Sequence, residues 1–194
     1  MATIHLVRHG ETDWNRELRW QGQLDPPLND RGREQARALA AAVAGRAYAA
    51  VYASDLRRAA ETAQIIAEQL DLRVELDARL REIDVGSWAG FTLAELEGRV
   101  PEAVAAWQEN GQDGWEEGES HAQMAARVLQ AIRAIAARHG GEDVLVVSHG
   151  GPIRALKALA AGVEYPRDRR AIRDTDNCEL CAIVIKDGAV RGID

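Results

Sequence analysis

Cysteine is scarce: the chain has two in 194 residues, Cys178 and Cys181. That count excludes a four-cysteine zinc site. The pair forms a CxxC, a spacing used in redox and metal chemistry. Cys181-Ala182-Ile183-Val184-Ile185 reads as a strand, where residues three apart point to opposite faces, so both thiols are expected to be buried or half-buried and structural. Positive charge is also in deficit. With 24 Lys and Arg against 31 Asp and Glu, the net charge of -7 argues against a general nucleic-acid surface. It leaves room for a small anionic ligand, because an arginine and histidine cluster can attract one through the field inside its own cleft. Long apolar runs are missing. A stretch such as Ala38 to Ala44 falls far short of the roughly 20 residues a membrane helix needs. No basic region followed by an apolar one precedes the first strand pattern, so secretion by a signal peptide is not expected and the expected location is the cytoplasm. Neither repeats nor low-complexity linkers interrupt the chain, which is read as one domain over residues 1–194.

What the sequence does contain is a pair of histidines at two strand ends. The apolar run from Ile4 to Val7 opens into Arg8-His9-Gly10-Glu11-Thr12. A second run, Val144-Leu145-Val146-Val147, opens into Ser148-His149-Gly150-Gly151. In open α/β sheets, ligands bind beyond the carboxyl ends of the strands, so these two distant segments can converge on one site.

Strand patterns fall at Ile4–Val7, Tyr48–Ala53, Leu72–Leu76, Val144–Ser148 and Leu180–Ile185, with a short return strand after Asp187-Gly188. Helical patterns lie between them. Asn29 or Asp30 can cap the first, where Ala36, Leu39, Ala40 and Val43 share a face before Gly45. Ala59, Ala63, Ile66 and Leu70 mark a second. Met124, Val128, Ile132 and Ile135 mark a third, expected to stop at Gly140-Gly141, with His121 and His139 solvated at its ends. Pro152 stands near the first turn of a fourth. This alternation predicts a three-layer α/β/α sandwich with a mainly parallel sheet. Residues from about 90 to 120 break the pattern and carry Trp107, Trp115 and many acidic side chains. They are read as an insertion of short helices over the site.

Arg8-His9-Gly10-Glu11-Thr12, Ser54-Asp55-Leu56-Arg57-Arg58-Ala59, Leu80-Arg81-Glu82-Ile83 and Ser148-His149-Gly150, in that order, resemble the histidine phosphatase superfamily in its phosphoglycerate mutase-like branch. The four blocks run from about residue 4 to about residue 154. The resemblance implies a phosphatase that hydrolyses a small phosphate monoester through a phosphohistidine. It implies His9 as the nucleophile and Glu82 as the acid/base carboxylate. Phosphate-binding roles fall to Arg8, Asn15, Arg58, His149 and Gly150, and Gln21 and Gly22 lie in the loop that meets the rest of the substrate. Of Arg57 and Arg58, motif register selects Arg58. Glu11 is the rival acid, more in keeping with fixing the loop or bordering the pocket.

The chemistry is self-consistent. Neutral imidazole can attack phosphorus if its other ring nitrogen donates to a backbone carbonyl, which the turn at Gly10 can supply. Guanidinium forks match phosphoryl oxygens, so no metal and no cofactor are expected. His5 and His9 form an HxxxH, but on a strand the two lie about 13 Å apart, too far for one ion. The expected partner is a small phosphorylated substrate, with no nucleic acid and no membrane, and a homodimer stays open. Two other readings compete. A 2,3-bisphosphoglycerate-dependent phosphoglycerate mutase would return the phosphoryl group to a hydroxyl. Against it, the insertion carries Glu95, Glu97, Glu102, Glu109, Asp113, Glu116, Glu117 and Glu119, with Arg99 as its one basic residue. A phospho-ligand-binding module without turnover would lack a nucleophile or an acid, and neither is lacking.

Overall fold

The computed structural model describes residues 1–110, 113–165, 168 and 171–192. Its centre is a six-stranded sheet with the order β3-β2-β4-β1-β5-β6. The strands are β1 (Ala2–Arg8), β2 (Ala50–Ala53), β3 (Val74–Leu76), β4 (Asp143–Ser148), β5 (Leu180–Lys186) and β6 (Ala189–Gly192). The first four pair in parallel, and β5 and β6 add an antiparallel edge beside β1. The sheet is therefore mixed with a parallel majority, as the alternating pattern predicts.

Helices cover both faces because the strands alternate two apolar sets. Ile4, Leu6, Val144 and Val146 face α6 (His121–Arg138) and α7 (Gly150–Ala160). Val7, Leu145 and Val147 face α2 (Asp30–Val43) and α3 (Arg57–Leu70). All seven side chains are fully buried. Burial of one such side chain contributes roughly 1.5–3 kcal/mol, so slipping either strand by one residue would exchange its two apolar sets. Among the described residues, three shorter α-helices, α1 (Asp13–Arg16), α4 (Leu93–Glu97) and α5 (Pro101–Asn110), and two 3-10 turns at Ala78–Leu80 and Gly86–Trp88 accompany them.

Several boundaries differ from expectation. The second and third strands start at Ala50 and Val74, two residues later than the apolar runs that announce them. Helix α6 ends at Arg138 with His139 as its cap, ahead of the two glycines, of which Gly141 takes φ +90°. Neither terminal histidine of α6 is solvated. His121 is buried between the rings of Trp115 and Tyr165 and pairs with the Asp113 carboxylate. His139 is half-buried, with its Nε2 3.0 Å from the Tyr52 hydroxyl. Aromatic partners from other segments cover both rings, and helical periodicity carries no trace of them.

Beyond the carboxyl ends of β1 and β4 lies the region that matters for chemistry. Arg8 pairs with Ser148 in the β1/β4 register, so the residues that follow, His9 and His149, leave the sheet side by side. Gly10 is required next to them. A Cβ there would lie 2.5 Å from the Gly32 carbonyl oxygen, and one on Gly32 would run into the Glu11 backbone. The start of α2 can therefore press directly on the loop that carries His9.

Candidate active site

His9 is 3% exposed and His149 is 0% exposed, with ring centroids 5.1 Å apart. His9 Nδ1 lies 2.7 Å from the Gly10 carbonyl oxygen. A carbonyl can only accept, so Nδ1 carries the hydrogen and the lone pair resides on Nε2. Burial, with the Arg58 and Arg8 charges, pushes the His9 pKa well below its ordinary value, which keeps the ring neutral. The His9 carbonyl accepts from Asn177 Nδ2 at 2.8 Å, and the Gly10 N–H donates to Thr62 Oγ1 at 3.0 Å. The histidine is thus clamped from β5's approach and from α3 at once.

His149 Nε2 is 2.8 Å from Ser54 Oγ, just past β2. Ser54 Oγ already accepts the Leu56 N–H at 3.3 Å and is fully buried. If His149 also donated to it, the serine proton would have no acceptor. Ser54 therefore donates, which places the His149 hydrogen on Nδ1, a buried atom with no partner among the described residues. Burial first, then the nearby Arg58 charge, lowers the His149 pKa well below the usual histidine range.

A cavity of about 500 Å³ opens above this pair. Its wall includes Arg8, His9, Asn15, Gln21, Gly22, Arg58, Glu82 and Gly150. Eight of the nine site residues expected from the sequence thus share one wall. The ninth, His149, stands behind it against the His9 ring.

The arginines are held by backbone. Arg58, 0% exposed, donates from Nη1 to the Leu24 carbonyl at 2.8 Å and from Nη2 to the Gly22 carbonyl at 2.9 Å. Its burial lowers the pKa to about 10, so it stays charged at neutral pH. Arg8 donates to the Thr175 carbonyl at 2.8 Å. In both, Nε is buried without an acceptor among the described residues. Two buried cationic donors left unsatisfied in one cavity suit an anion. Arg57, by contrast, is exposed on the outer face of α3.

Glu82 is half-buried, and its two oxygens accept the N–H groups of Ile83 at 2.9 Å and Gly151 at 3.3 Å. A Cβ at position 151 would collide with this carboxylate, which explains the second glycine after His149. Gly150 opens α7, whose first N–H groups have no carbonyl partner within the helix. Asn15 Oδ1 accepts from the Thr12 N–H and hydroxyl at 3.0 and 3.1 Å, which caps α1 and leaves its Nδ2 as the outward donor. Gln21 Oε1 is buried and unpartnered, and Gly22 takes φ +51°. Glu11 turns away from the cavity, accepting from Asn29 Nδ2 at 3.0 Å, and fixes the loop.

Sequence reasoning missed Ser54, Thr62, Asn177 and Arg127. Arg127 on α6 donates to the carbonyls of Arg79, Arg81 and Glu82 at 2.8, 3.0 and 3.3 Å and pairs with Glu119, holding the Glu82 loop in place. Ser54 stands inside a recognised block, so its position carried a signal. The other three act through main-chain atoms of distant segments, which no pattern reveals.

Both cysteines are half-buried, and burial pushes the Cys178 thiol up to about 12 and the Cys181 thiol up to about 11. Thiols held protonated in this way are poor nucleophiles and metal ligands. His5 points to Asp143 at the opposite end of β1 from His9, with Nε2 3.1 Å from the carboxylate.

A sheet whose parallel strands end in two buried neutral histidines, flanked by two arginines with open donors, defines a phosphoryl-transfer enzyme of the α/β class. The family profile described as histidine phosphatase superfamily, branch 1, matches residues 4–192. The chain belongs to this superfamily and is an enzyme of its phosphatase class. It is similar to phosphoserine phosphatase 1 of Hydrogenobacter thermophilus, with 38% identity over 168 residues covering 86% of this chain and 80% of that protein. Glucosyl-3-phosphoglycerate phosphatase of Mycolicibacterium vanbaalenii is 38% identical over 165 residues, covering 81% of this chain and 73% of its own. Among solved structures, Bacillus stearothermophilus YhfR superposes with a TM-score of 0.92 at 32% identity, covering 99% of this chain and 95% of that one. Among the described residues, no helix is long and apolar enough to cross a membrane.

Proposed function

We propose that the chain hydrolyses a small phosphate monoester in two steps at His9. In the first, the His9 Nε2 lone pair forms a bond to phosphorus while the ester P–O bond breaks. Protonated Glu82 gives its proton to the departing oxygen. The positive charge that develops on the ring rests against the Gly10 carbonyl through Nδ1–H. In the second step, the Glu82 carboxylate takes a proton from water as the water oxygen bonds to phosphorus. The P–N bond breaks, which releases inorganic phosphate and restores neutral His9.

Charge on the transferring group is met by the Nε donors of Arg8 and Arg58, Nδ1–H of His149, the Gly150 N–H and the Asn15 amide. Gln21 and Gly22 border the remainder of the substrate. The observation that carries this reading is the His9 Nδ1 contact with the Gly10 carbonyl, because it fixes the nucleophilic tautomer before any substrate arrives. The names of the two relatives, phosphoserine phosphatase and glucosyl-3-phosphoglycerate phosphatase, support a small phosphorylated substrate. Among the described residues of α4 and α5 only Trp107 lines the cavity, so these helices bring no cation there to hold a phosphoglycerate as acceptor, which favours water in that role.

Rapid quench of the wild-type enzyme with a panel of phosphate esters tests the proposal. An acid-labile, base-stable phosphoenzyme that forms within one turnover and is missing in His9→Ala is the expected result. A folded His9→Ala variant that keeps more than a few per cent of the phosphate release would refute the covalent route.

A further inference from the structure

Asn177 joins the main chain of the nucleophile to a phosphate-binding side chain, a link that the two chemical steps above leave unused. Its Nδ2 donates to the His9 carbonyl at 2.8 Å and lies 3.5 Å from Asn15 Oδ1, which the Thr12 N–H marks as an acceptor. Both neighbours accept, so the Asn177 amide must turn its NH2 toward them, with one hydrogen for each.

The peptide between His9 and Gly10 needs this hold. Gly10 has no side chain to restrict its own φ and ψ, yet its carbonyl is the acceptor that fixes the His9 tautomer. The peptide is gripped at both edges: Asn177 takes its oxygen, and Thr62 Oγ1 takes its N–H at 3.0 Å. Turning it would carry the Gly10 carbonyl away from Nδ1 and swing Nε2 off its line to phosphorus.

Backbone strain accompanies this contact. Asn177 and Cys178 are the middle residues of a turn closed by the Glu179 N–H on the Asp176 carbonyl at 3.0 Å, and it is Cys178 that takes φ +56°. Asparagine tolerates the left-handed region far better than cysteine, so turn chemistry alone would place the two in the opposite order. The order found strains the turn and sets the carboxamide against His9. Local rules are broken in this way where function requires it. The same turn also holds Arg8, whose Nη1 donates to the Thr175 carbonyl at 2.8 Å and whose carbonyl accepts from the Cys178 N–H at 2.9 Å. Those two contacts use main-chain atoms of the turn, so a change of side chain at 177 leaves them in place.

We infer that Asn177 is a positioning residue for phosphoryl transfer: its carboxamide fixes the His9–Gly10 peptide, and with it the line of attack of Nε2, and steadies Asn15 as a donor to the phosphoryl group. The inference rests on the His9 reaction proposed above.

Asn177→Ala is compared with Asn177→Ala/Cys178→Asn, in which asparagine occupies the left-handed position and supports the turn. Four quantities are read: the first-step rate with p-nitrophenyl phosphate and enzyme in excess, the affinity for inorganic phosphate by calorimetry, the His9 ring signals by 15N NMR in the resting enzyme, and Tm. Asn177→Ala should slow the first step by about tenfold to a hundredfold, the range for a small misplacement of reacting groups. Phosphate affinity should change by less than about threefold, because Arg8 and Arg58 keep their main-chain partners. The double variant should regain the lost Tm without regaining the rate, and in both variants the His9 Nδ1–H signal should broaden through exchange with water. A role confined to the turn would return rate and Tm together and leave the ring signal as in the wild type. Should the wild type form no phosphohistidine, the covalent reading fails by itself, and the ring signal and phosphate affinity still judge Asn177. A first-step rate in Asn177→Ala within about threefold of wild type, a rate that recovers with Tm in the double variant, or a phosphate affinity that falls as far as the rate would each overturn the inference.

Discussion

The Ser54 hydroxyl lies 2.8 Å from Nε2 of His149, and this contact decides which nitrogen of the second histidine carries hydrogen. Ser54→Ala removes the donor and leaves a buried ring nitrogen unsatisfied, a change that typically costs about 1–3 kcal/mol. If Nδ1–H serves the phosphoryl group, kcat/KM should fall by about 5- to 100-fold. Ring 15N NMR should show His149 losing its single tautomer, and Ser54→Thr should recover most of both. Full activity in Ser54→Ala with an unchanged tautomer would show that the serine only fills space.

Stability should depend on the two histidines with a defined sign. Both have folded-state pKa values well below the ordinary 6.5, so in the native protein they stay neutral where the unfolded chain binds protons. Stability is therefore complete above pH 6.5 and declines as the pH drops below it, by about 1.4 kcal/mol per pH unit for each histidine, until the folded pKa is reached. Urea unfolding of wild type and of His149→Gln at pH 7.0 and 5.5 measures this. The variant should lose less stability over that interval than the wild type. Parallel losses would mean that His149 titrates alike in both states.

Activity should survive exhaustive chelation. In the proposed site the positive charge comes from Arg8 and Arg58, with His149 and Gly150 as neutral donors, and among the described residues no group of three or more His, Cys, Asp or Glu is placed to hold an ion. Dialysis against a strong chelator followed by assay in chelator-treated buffer is the measurement. Loss of turnover, with recovery on adding one divalent ion, would require a different source of phosphoryl stabilisation.

The sheet was legible because its signals are local. Val144 to Val147 is an unbroken apolar run, and the glycines after His9 and His149 mark where strands stop. The convergence of residues near positions 8, 58, 82 and 149 was legible from the order of the motif blocks. What stayed hidden depends on contacts between segments far apart in sequence. Thr175 and Asn177 lie more than 160 residues from the Arg8 and His9 atoms they bind, and Arg127 reaches the Glu82 loop across 45 positions. The solvated ends expected for α6 failed for the same reason, since Trp115, Tyr165 and Tyr52 come from other elements.

Glu82→Gln should separate proton donation from pocket structure. Glutamine is nearly isosteric and its carbonyl oxygen can still accept from the Ile83 or Gly151 N–H, so the loop should keep its shape. What it lacks is the exchangeable proton. An alkoxide leaves badly without that proton, whereas p-nitrophenolate leaves readily, so the first step should slow by about 10²–10⁴-fold for an alkyl phosphate and far less for the aryl ester. The comparison belongs on that first step, by single-turnover kinetics, because slow hydrolysis of the phosphohistidine would otherwise limit both esters alike. The second step, in which Glu82 deprotonates water, should then become limiting for the aryl ester, seen as a burst of p-nitrophenol followed by a slow phase. Equal slowing of the first step for both esters would assign Glu82 to positioning alone.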